Sequence, residues 1–430
     1  MAHLTARDSY RQLADRLNKS PQGAPPEKLL FDILALLFSE REAQLVAKLP
    51  LKPFTAETAA RAWRLDLKAS EQILQELASR ALLVDVIQNG RIEYVLPPPM
   101  AGFFEFALMR YRDDIDQHQL ALLYDEYVTV GDAFGQALFG SGRTQLGRVF
   151  AQEDTLTAAD TLHVLDADRA SAVVDTASAI AVGLCYCRHK KQHTGGACSA
   201  DLDICLTFGT VADSLARHDY ARRIERGEAH DLLAKAREQN LVHFGENVQQ
   251  GVGFICNCCP CCCEAMLAAR RFGFTRAVHT SNFIATVADN CSGCGRCLPV
   301  CPVGALTLET DGAQGRGRKR AVLAEEKCLG CGVCVRNCQR NALTMQGRAK
   351  RVLTPVNSVH KAVLMAIERG KLQNLLFDNQ VLFSHRALAA VFGAILKLPP
   401  VKRVLASEQI GSRYLGALAQ RYEAEVLGED

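Results

Sequence analysis

The chain has 430 residues, of which 18 are cysteine, and a formal net charge of +3 at pH 7. Apolar residues make up 48% and charged residues 23%, so a mainly disordered or low-complexity chain is excluded. The cysteine content is too low for a disulfide-stapled miniprotein and too high for an ordinary cytosolic enzyme, and the small net charge argues against a general nucleic-acid binder.

The N-terminal segment is polar and carries neither the apolar core of a secretory signal nor a twin arginine. The best candidate for a membrane span, residues 387–398, contains a lysine and is shorter than the roughly 18–20 residues that a span needs. We therefore expect a cytoplasmic protein without a membrane span. Because disulfides rarely persist in that compartment, the cysteines predict metal binding or catalysis.

Residues 1–98 are predicted to form a domain of helices followed by a β-hairpin. The hairpin signal is Asn89-Gly90 between two apolar runs, and the hydroxyl of Thr55 is expected to cap a helix. Helices are predicted at Glu27–Phe38, at Glu40–Lys48, from Thr55 and up to about Leu82, and strands at Val84–Ile87 and Arg91–Val95. This order resembles a winged helix–turn–helix, a variant of a DNA-reading motif.

DNA binding by this domain is not expected, and a protein-docking role is the favoured interpretation. The helix in the position of a recognition helix would present a polar face that includes two carboxylates, which oppose binding to phosphates. The residues of that face are Glu71, Gln72, Gln75, Glu76 and Ser79.

Residues 99–180 are predicted to be a mostly helical connecting region with a strand near residues 148–150. Residues 181–285 are predicted to form a cysteine-rich cluster-binding domain. Its ten cysteines fall in two groups, the first being Cys185, Cys187, Cys198 and Cys205, and the second Cys256, Cys258, Cys259, Cys261, Cys262 and Cys263.

The segments around these cysteines have a coarse secondary-structure pattern. A helix is predicted at 228–240 and another at Glu264–Arg271, whereas Leu206–Gly209 is typical of a turn. Cys262 and Cys263 would then lie near a helix N-terminus, whose partial positive charge lowers the pKa of a thiol.

Residues 286–350 contain two runs with the spacing C-x2-C-x2-C-x3-C. The runs resemble bacterial eight-cysteine ferredoxins with two [4Fe–4S] clusters, in which the fourth cysteine of each run begins a helix and serves the other cluster. Zinc fits less well, because it favours paired C-x2-C hooks. The resemblance implies that one cluster is held by Cys291, Cys294, Cys297 and Cys338, and the second by Cys328, Cys331, Cys334 and Cys301.

Three further features of these runs are expected to matter. Four glycines relieve crowding and expose amides to the sulfurs: Gly293, Gly295, Gly330 and Gly332. Gln339 stands at the counterpart of Pro302, which predicts an altered turn without loss of a cluster. The basic residues 314–320 between the runs predict an exposed loop.

The first cysteine group at 185–205 offers four thiolates, enough for one more cluster. The six cysteines at 256–263 cannot all ligate one cubane, because adjacent side chains point in different directions. Either some join the first group around a larger cluster, or some are spare. Further iron–sulfur clusters are favoured over zinc or free redox-active thiols, and the C-x-C-R-H and I-C-N-C-C segments resemble uncharacterised ferredoxin-type proteins of anaerobic bacteria.

Other polar residues near these cysteines have a functional and a structural interpretation. His189, His193 and His243 could be ligands, although a single histidine is more often structural. Arg188 and the pair Lys190-Lys191 could offset cluster charge, but a solvated basic face is the favoured interpretation.

Residues 351–430 are predicted to be a helical C-terminal region that caps the molecule or docks a subunit, in a complex or a homo-oligomer. Its helices are predicted at Ser358–Leu376, at His385–Leu398 and in a final segment ending near Val426. The whole chain is thus expected to be a multidomain α+β protein.

The sequence predicts an electron-transfer protein that relays single electrons between redox partners, an oxidoreductase or a flavoprotein, in anaerobic metabolism. It would use two ferredoxin-type clusters and at least one more. Because the chain has no dinucleotide or P-loop fingerprint, its electrons are expected to come from another protein. Two alternatives remain: a reductase with an unusual catalytic cluster at 185–263, and a redox-sensing winged-helix transcription regulator.

Overall fold

The computed structural model describes residues 2–88, 90–140, 142–156, 168–272, 278–310, 317–349, 352 and 354–377. The chain is a mixture of helix and sheet, in agreement with the predicted α+β class. It divides into a first unit, Met1–Thr144 with Asp213–Ala221 and Pro355–Asp430, and a second unit, Gln145–Ala212 with Arg222–Thr354. The five domain ranges expected from the sequence stay predictions.

The first unit begins with five helices and a hairpin; the last four helices and the hairpin were predicted in this order, whereas the first helix was not. The helices are α1 (Ala2–Leu17), α2 (Lys28–Leu37), α3 (Glu40–Val46), α4 (Ala56–Trp63) and α5 (Leu67–Ser79), and the strands are β1 (Val84–Gln88) and β2 (Arg91–Val95). β1 and β2 pair antiparallel. Gly90 takes φ +76° in the turn, while Asn89 lies outside the described residues. The winged-helix identity of this arrangement stays a prediction.

Side-chain hydrogen bonds cap the N-termini of α3 and α5, whereas α4 has no such cap. Ser39 and Glu42 form a capping box at the start of α3, and Asp66 accepts from the amide of Ala69 at the start of α5. Thr55 precedes α4 as expected, but its hydroxyl makes no capping hydrogen bond. The hydroxyl instead lies 3.5 Å from that of Thr58, so the capping prediction was wrong.

The buried faces of α1, α2 and α5 supply the core of this part of the unit, through Leu13, Leu30, Leu34, Leu74 and Leu77. The five polar residues assigned to the outer face of α5 are exposed, as predicted. Between residues 104 and 140 lie short helical segments, namely Phe104–Phe106, Gln117–Tyr124, Asp125–Val130, Asp132–Gly135 and Gln136–Gly140. The backbone of Met100, Ala101 and Gly102 before them is not helical.

The C-terminal part of the first unit contains the helices Ser358–Glu368 and Leu372–Leu376, where the sequence predicted one helical run. The helices predicted at 385–398 and near Val426 lie outside the described residues. None of the helices that the structure describes is long and apolar enough to cross a membrane.

The second unit is built on a six-stranded antiparallel sheet. Its strands are β3 (Gly147–Val149), β4 (Ile180–Leu184), β5 (Asp203–Phe208), β6 (Arg222–Arg223), β7 (Val242–Glu246) and β8 (Phe254–Cys258), in the order β3-β7-β8-β5-β4-β6. The helices are α6 (Ala170–Thr176), α7 (Tyr186–His193), α8 (Arg226–Glu238) and α9 (Glu264–Phe272). The helix Gly209–Arg217 follows β5.

The sheet has an apolar face covered by helices and a face that carries cysteines. Leu206 and Ile255 are register partners and pack in one core with residues of α6 and α8. Because side chains alternate along a strand, Cys205 and Cys256 lie beside them on the opposite face. The sequence interpretation of Leu206–Gly209 as a turn was wrong, since residues 203–208 form β5 and alternate between the two faces.

Two short β-pairs follow the sheet, and the ferredoxin-type runs lie in the segments that connect their strands. β9 (Phe283–Val287) pairs with β12 (Leu343–Gly347), and β10 (Leu306–Thr310) pairs with β11 (Lys319–Leu323), both antiparallel. Two short helices intervene, α10 (Cys297–Val300) and α11 (Val333–Arg336). Of the basic insertion, residues 317 and 318 are exposed and precede β11, while 314–316 lie outside the described residues.

Each short helix ends before the fourth cysteine of its run, so the prediction that this cysteine begins a helix was wrong. Cys301 follows α10 with extended backbone angles, and Cys338 follows α11 after Asn337. The third cysteine of each run instead lies within the helix.

Candidate metal centres

Positive φ angles shape the loops that carry the ferredoxin-type cysteines. Gly293, Gly295, Gly330 and Gly332 all have φ between +65° and +85°, a region that side chains disfavour. At Gly330 a Cβ atom would also collide with the carbonyl oxygen of Phe283 and the hydroxyl of Ser281. These loops therefore need glycine to bring their backbone close to the neighbouring strand.

The first ferredoxin-type set combines Cys291, Cys294 and Cys297 with Cys338 from the second run. Burial raises the pKa of the Cys297 thiol, and the nearby charges of Cys291, Cys294 and Cys338 raise it further. The amide of Ala321 donates to the Cys291 sulfur at 3.4 Å. Cys294 is exposed, whereas Cys297 is buried, so this set reaches the surface on one side.

The second set lines a small cavity that is partly open to solvent. All four predicted ligands line it, and apolar side chains complete the wall: the lining includes Cys301, Cys328, Cys331, Cys334, Val303, Leu323 and Leu329. Burial raises the pKa of Cys331 to about 12 and that of Cys334 well above the usual range, and the other cysteines of the set add to both shifts.

Both sets fit a [4Fe–4S] cluster by their chemistry. The four cysteines of the second set line one cavity, and in the first set Cys291, Cys294 and Cys338 lie close enough to Cys297 to act on its thiol. Backbone amides donate to Cys291, Cys301 and Cys338, as suits cluster ligands. The raised pKa values describe thiols without a cation, and a coordinated metal deprotonates such thiols outright. The assignment of these eight cysteines as ligands stays a prediction that the geometry favours.

The turn after the fourth cysteine is the same in both runs, despite Pro302 in one and Gln339 in the other. The amide of Ala305 donates to Cys301 Sγ at 3.2 Å, and that of Ala342 donates to Cys338 Sγ at 3.3 Å. Gly304 and Asn341, at equivalent positions, both have positive φ. The predicted altered turn was therefore wrong, because the left-handed residue and the sulfur-directed amide define the turn rather than the proline.

Six of the other ten cysteines form a closed ring, here called the six-thiol ring, in which each thiol interacts with two others. Going round, its members are Cys185, Cys187, Cys263, Cys258, Cys256 and Cys205. The Sγ atoms of Cys258 and Cys263 are 3.1 Å apart. The ring draws on both sequence groups, so the first group does not by itself surround one site.

Protons would alternate around the six-thiol ring if it held no metal. The pKa values of three of its thiols are lowered because they accept from two neighbours: Cys185, Cys256, to about 5, and Cys263, to about 6. The pKa of Cys187 is raised, first by burial, and those of Cys205 and Cys258 are raised by hydrogen bonding to their neighbours. Metal ions that prefer thiolates would replace these shared protons.

The remaining four cysteines form a second, tighter group, here called the four-thiol group. The Sγ atoms of Cys198, Cys259, Cys261 and Cys262 all lie within 4.8 Å of one another. Cys261 is exposed and Cys198 is partly so, whereas Cys259 and Cys262 are buried. The six cysteines of residues 256–263 are thus divided between the six-thiol ring and the four-thiol group. This division explains how six neighbouring thiols need not surround one site.

Two basic residues predicted to lie on a solvated face are buried instead. Arg188 and Lys190 are both 0% exposed. Arg188 donates to the carbonyls of Asp201 and Asn257, each at 2.5 Å, and thiolates at Cys185, Cys205 and Cys259 outweigh its burial and raise its pKa. Lys190 forms a buried ion pair with Glu264. Arg188 is therefore positioned to offset negative charge on these thiolates, and its role beside a cluster stays a prediction.

The three histidines near the cysteines lie in different settings. His189 and His193 have their Nε2 atoms 3.3 Å apart, and His189 is buried. Burial lowers the pKa of His243 to about 4, and its Nδ1 lies 2.7 Å from Oδ1 of Asn257.

Sequence analysis missed Glu264, whose carboxylate pairs with Lys190, and Asn257, whose backbone carbonyl accepts from Arg188. For Glu264 the available signal was a charged residue in an otherwise apolar, cysteine-rich segment, where buried polar groups need partners. A backbone carbonyl gives no such signal.

Comparisons with known proteins bear on one part of the chain. Residues 290–355 match the family model described as a 4Fe-4S dicluster domain, which is less than a sixth of the chain. No curated protein and no solved structure matches. The matched segment contains both cysteine runs, and it identifies residues 290–355 as a ferredoxin-type iron–sulfur segment, which supports an electron-transfer role for the protein.

Proposed function

We propose that this protein relays single electrons between redox partner proteins through two [4Fe–4S] clusters and at least one further cluster in the six-thiol ring. The observation that carries the proposal is the crossed grouping of the fourth cysteines. Cys338 lies with the first three cysteines of the first run, and Cys301 lines the cavity formed by the second run. When bound, such clusters supply one-electron oxidation and reduction of iron.

The exposure of the cysteines supports an order of the two cluster sets along the relay. Cys294 in the first set is exposed, so a partner can approach this set closely. Cys328, Cys331 and Cys334 in the second set are buried. Electrons would enter or leave at the Cys294 side and pass inward through the second set.

Burial of the six-thiol ring favours electron transfer over substrate reduction. Five of its six cysteines are buried, and Cys256 is the exception with intermediate exposure. A reducible substrate would need an open approach to the metal, whereas an electron does not. The ring would therefore act as a further relay station.

A basic edge beside the exposed set supports a partner with an acidic surface. Arg296, Arg318 and Lys319 are exposed, and a Cβ atom at Gly293 would collide with the backbone of Lys319, so β11 lies against this loop. Opposite charges speed encounter between proteins, and salt screens them over about 8 Å at physiological ionic strength. An oxidoreductase or flavoprotein with an acidic docking face would match this edge.

Metal analysis of the anaerobically purified full chain tests the clusters. We expect more than about eight irons per chain, the content of two [4Fe–4S] clusters, with matching acid-labile sulfide. The EPR spectrum of the reduced protein should show interaction between neighbouring paramagnetic clusters. Absence of iron and sulfide, or clusters that take up no electrons in a dithionite titration, would refute the proposal.

Stopped-flow oxidation of the reduced chain tests the relay. With an acidic flavodoxin as acceptor, the second-order rate constant should fall as salt rises. With the basic cytochrome c the same rate should not fall. The matched variant Arg296→Glu should slow transfer to flavodoxin without changing the iron content. Equal rates for the wild type and the variant would contradict docking of the partner at this basic edge.

A further inference from the structure

We propose that the four-thiol group holds a single zinc ion, separate from the iron–sulfur clusters. Its ligands would be Cys198, Cys259, Cys261 and Cys262. The Sγ atom of Cys262 lies 3.6 Å from that of Cys261 and 3.9 Å from that of Cys198. This site goes beyond the electron-transfer proposal and does not depend on it.

The sulfur spacing is that of one metal ion rather than of a cluster. A tetrahedral zinc with Zn–S bonds of about 2.3 Å sets its ligand sulfurs about 3.8 Å apart. A [4Fe–4S] cubane keeps its cysteine sulfurs further apart, because four irons and four sulfides lie between them. The distances of Cys262 Sγ from the other two sulfurs, 3.6 and 3.9 Å, bracket the zinc value, and all other pairs in the group lie within 4.8 Å.

The two ferredoxin-type sets do not share this close spacing. In the part of the chain that the structure describes, no other group of three or more possible ligand atoms is this compact. The four cysteines of the second ferredoxin-type set instead line a cavity. The compact sulfurs of the four-thiol group fit a single metal ion, whereas the ferredoxin-type spacing fits a cluster.

The local chain explains how these four sulfurs meet. Cys198 lies in an irregular segment after the turn at Gly195, which has φ +80°. Cys259, Cys261 and Cys262 lie in the turn between β8 and α9, where Pro260 restricts the backbone. A metal ion would tie these two segments together, and they have no regular secondary structure to do so.

Charge and burial also favour a cation here. Arg188 is fully buried and lies close enough to Cys259 for its charge to act on that thiol. Four thiolates around a dication carry a net charge of −2, which the buried guanidinium of Arg188 partly offsets. All-sulfur tetrahedral sites suit zinc or iron, and zinc(II) binds such ligands more tightly than iron(II).

The site would be structural, because all four positions around the metal are taken by protein. Cys259 and Cys262 pack in the same core as Cys185, Cys187 and Cys205 of the six-thiol ring. Zinc would therefore hold in place part of the wall that covers the ring.

Metal content and X-ray absorption of the anaerobically purified full chain test this site. We expect about one zinc per chain with four sulfur neighbours at about 2.3 Å. Cys261→Ser, at the exposed position, should lower the zinc content while iron and sulfide stay unchanged. The matched control Cys294→Ser, also exposed, should lower iron and leave zinc unchanged.

Several outcomes would overturn the zinc assignment. They are a wild-type chain without zinc, zinc with nitrogen or oxygen ligands, and parallel loss of iron and sulfide in Cys261→Ser. Should Cys261→Ser fold poorly, cobalt(II) exchanged into the wild-type chain must give the charge-transfer bands of tetrahedral thiolate coordination. Iron, sulfide and EPR readouts test the electron-transfer proposal separately, so the two can fail independently.

Discussion

The Sγ atoms of Cys258 and Cys263 lie 3.1 Å apart, although four residues separate them in the chain. Cys258 ends strand β8, and Cys263 immediately precedes helix α9. The turn between them directs Cys259, Cys261 and Cys262 to the four-thiol group. A single segment of the chain therefore contributes to both the six-thiol ring and the four-thiol group, and neighbouring substitutions should have separable effects.

Cys263→Ser and Cys262→Ser form a matched pair for this separation. We expect Cys263→Ser to lose iron and sulfide above the ferredoxin content, because it removes one ring sulfur, while zinc stays unchanged. Cys262→Ser should lose zinc and retain iron. Metal and sulfide analysis after anaerobic purification measures both, and identical losses in the two variants would argue against two sites.

Arg188 should be essential to the cysteine region through its hydrogen bonds as well as its charge. Arg188→Lys keeps a positive charge but cannot donate to the carbonyls of Asp201 and Asn257 in the same fork. Leaving buried polar groups unpaired costs about 1–3 kcal/mol each, so we expect a clear fall in stability and in ring iron. The control Gln192→Ala, on the exposed side of the same helix, should change neither.

Thermal loss of visible absorbance under argon measures that fall in stability. Retention of full iron and an unchanged midpoint in Arg188→Lys would show that charge alone is enough at this position.

Sequence patterns predicted the parts of the fold that depend on local spacing. The helix α1 was not predicted, but the helices α2 to α5, the hairpin, α8 and α9 follow from apolar periodicity and turn residues, and the structure contains each of them. The two four-cysteine runs could be recognised for the same reason, since their ligands lie a few residues apart.

The grouping of the other ten cysteines could not be predicted, because it depends on long-range strand pairing. Cys205 and Cys256 become neighbours only because β5 and β8 pair with Leu206 opposite Ile255. Residues 203–208 alternate between two buried faces, and this removes the polar alternation that marks a half-exposed strand. The burial of Arg188 likewise depends on carbonyl groups that only the folded sheet brings together.

Gly330→Ala should destabilise the second ferredoxin-type site far more than Gly304→Ala. Both residues have positive φ, which costs a side chain about 1–2 kcal/mol. At Gly330 the new methyl group would also collide with backbone of Phe283, whereas at Gly304 it would meet nothing within 4 Å. We expect a total loss of about 2–5 kcal/mol at Gly330 and only the backbone cost at Gly304.

The rate at which cluster absorbance disappears in urea distinguishes these two variants. Equal rates would mean that contact with β9 does not constrain the loop.

Gln339→Pro should leave the clusters intact, because the two turns already share the same backbone. Proline at a compatible position stabilises a protein by about 0.4–1 kcal/mol through the unfolded chain. We expect unchanged iron content and a slightly raised midpoint of thermal cluster loss. A large loss of iron from this variant would contradict the equivalence of the two turns.

Asp85 should make the stability of the first unit depend on pH in the acid range. Burial alone would raise its pKa, but hydrogen bonds from His218, Ser214 and Arg217 outweigh burial and lower it to about 2. Because the folded pKa lies below the ordinary value of 3.8, the stabilisation is present above pH 4 and disappears as the pH falls towards 2. Allowing for solvent screening, it amounts to about 1–2 kcal/mol.

The chain's one tryptophan, Trp63, allows this effect to be measured in the first unit, because it is buried there and donates to the carbonyl of Leu45. In urea titrations followed by its fluorescence, Asp85→Asn should lower the unfolding free energy at pH 6. The difference from the wild type should shrink by pH 3, where the carboxylate begins to bind its proton. The charge control Glu76→Gln, on the exposed face of α5, should show no such convergence, and a constant gap for Asp85→Asn would contradict the lowered pKa.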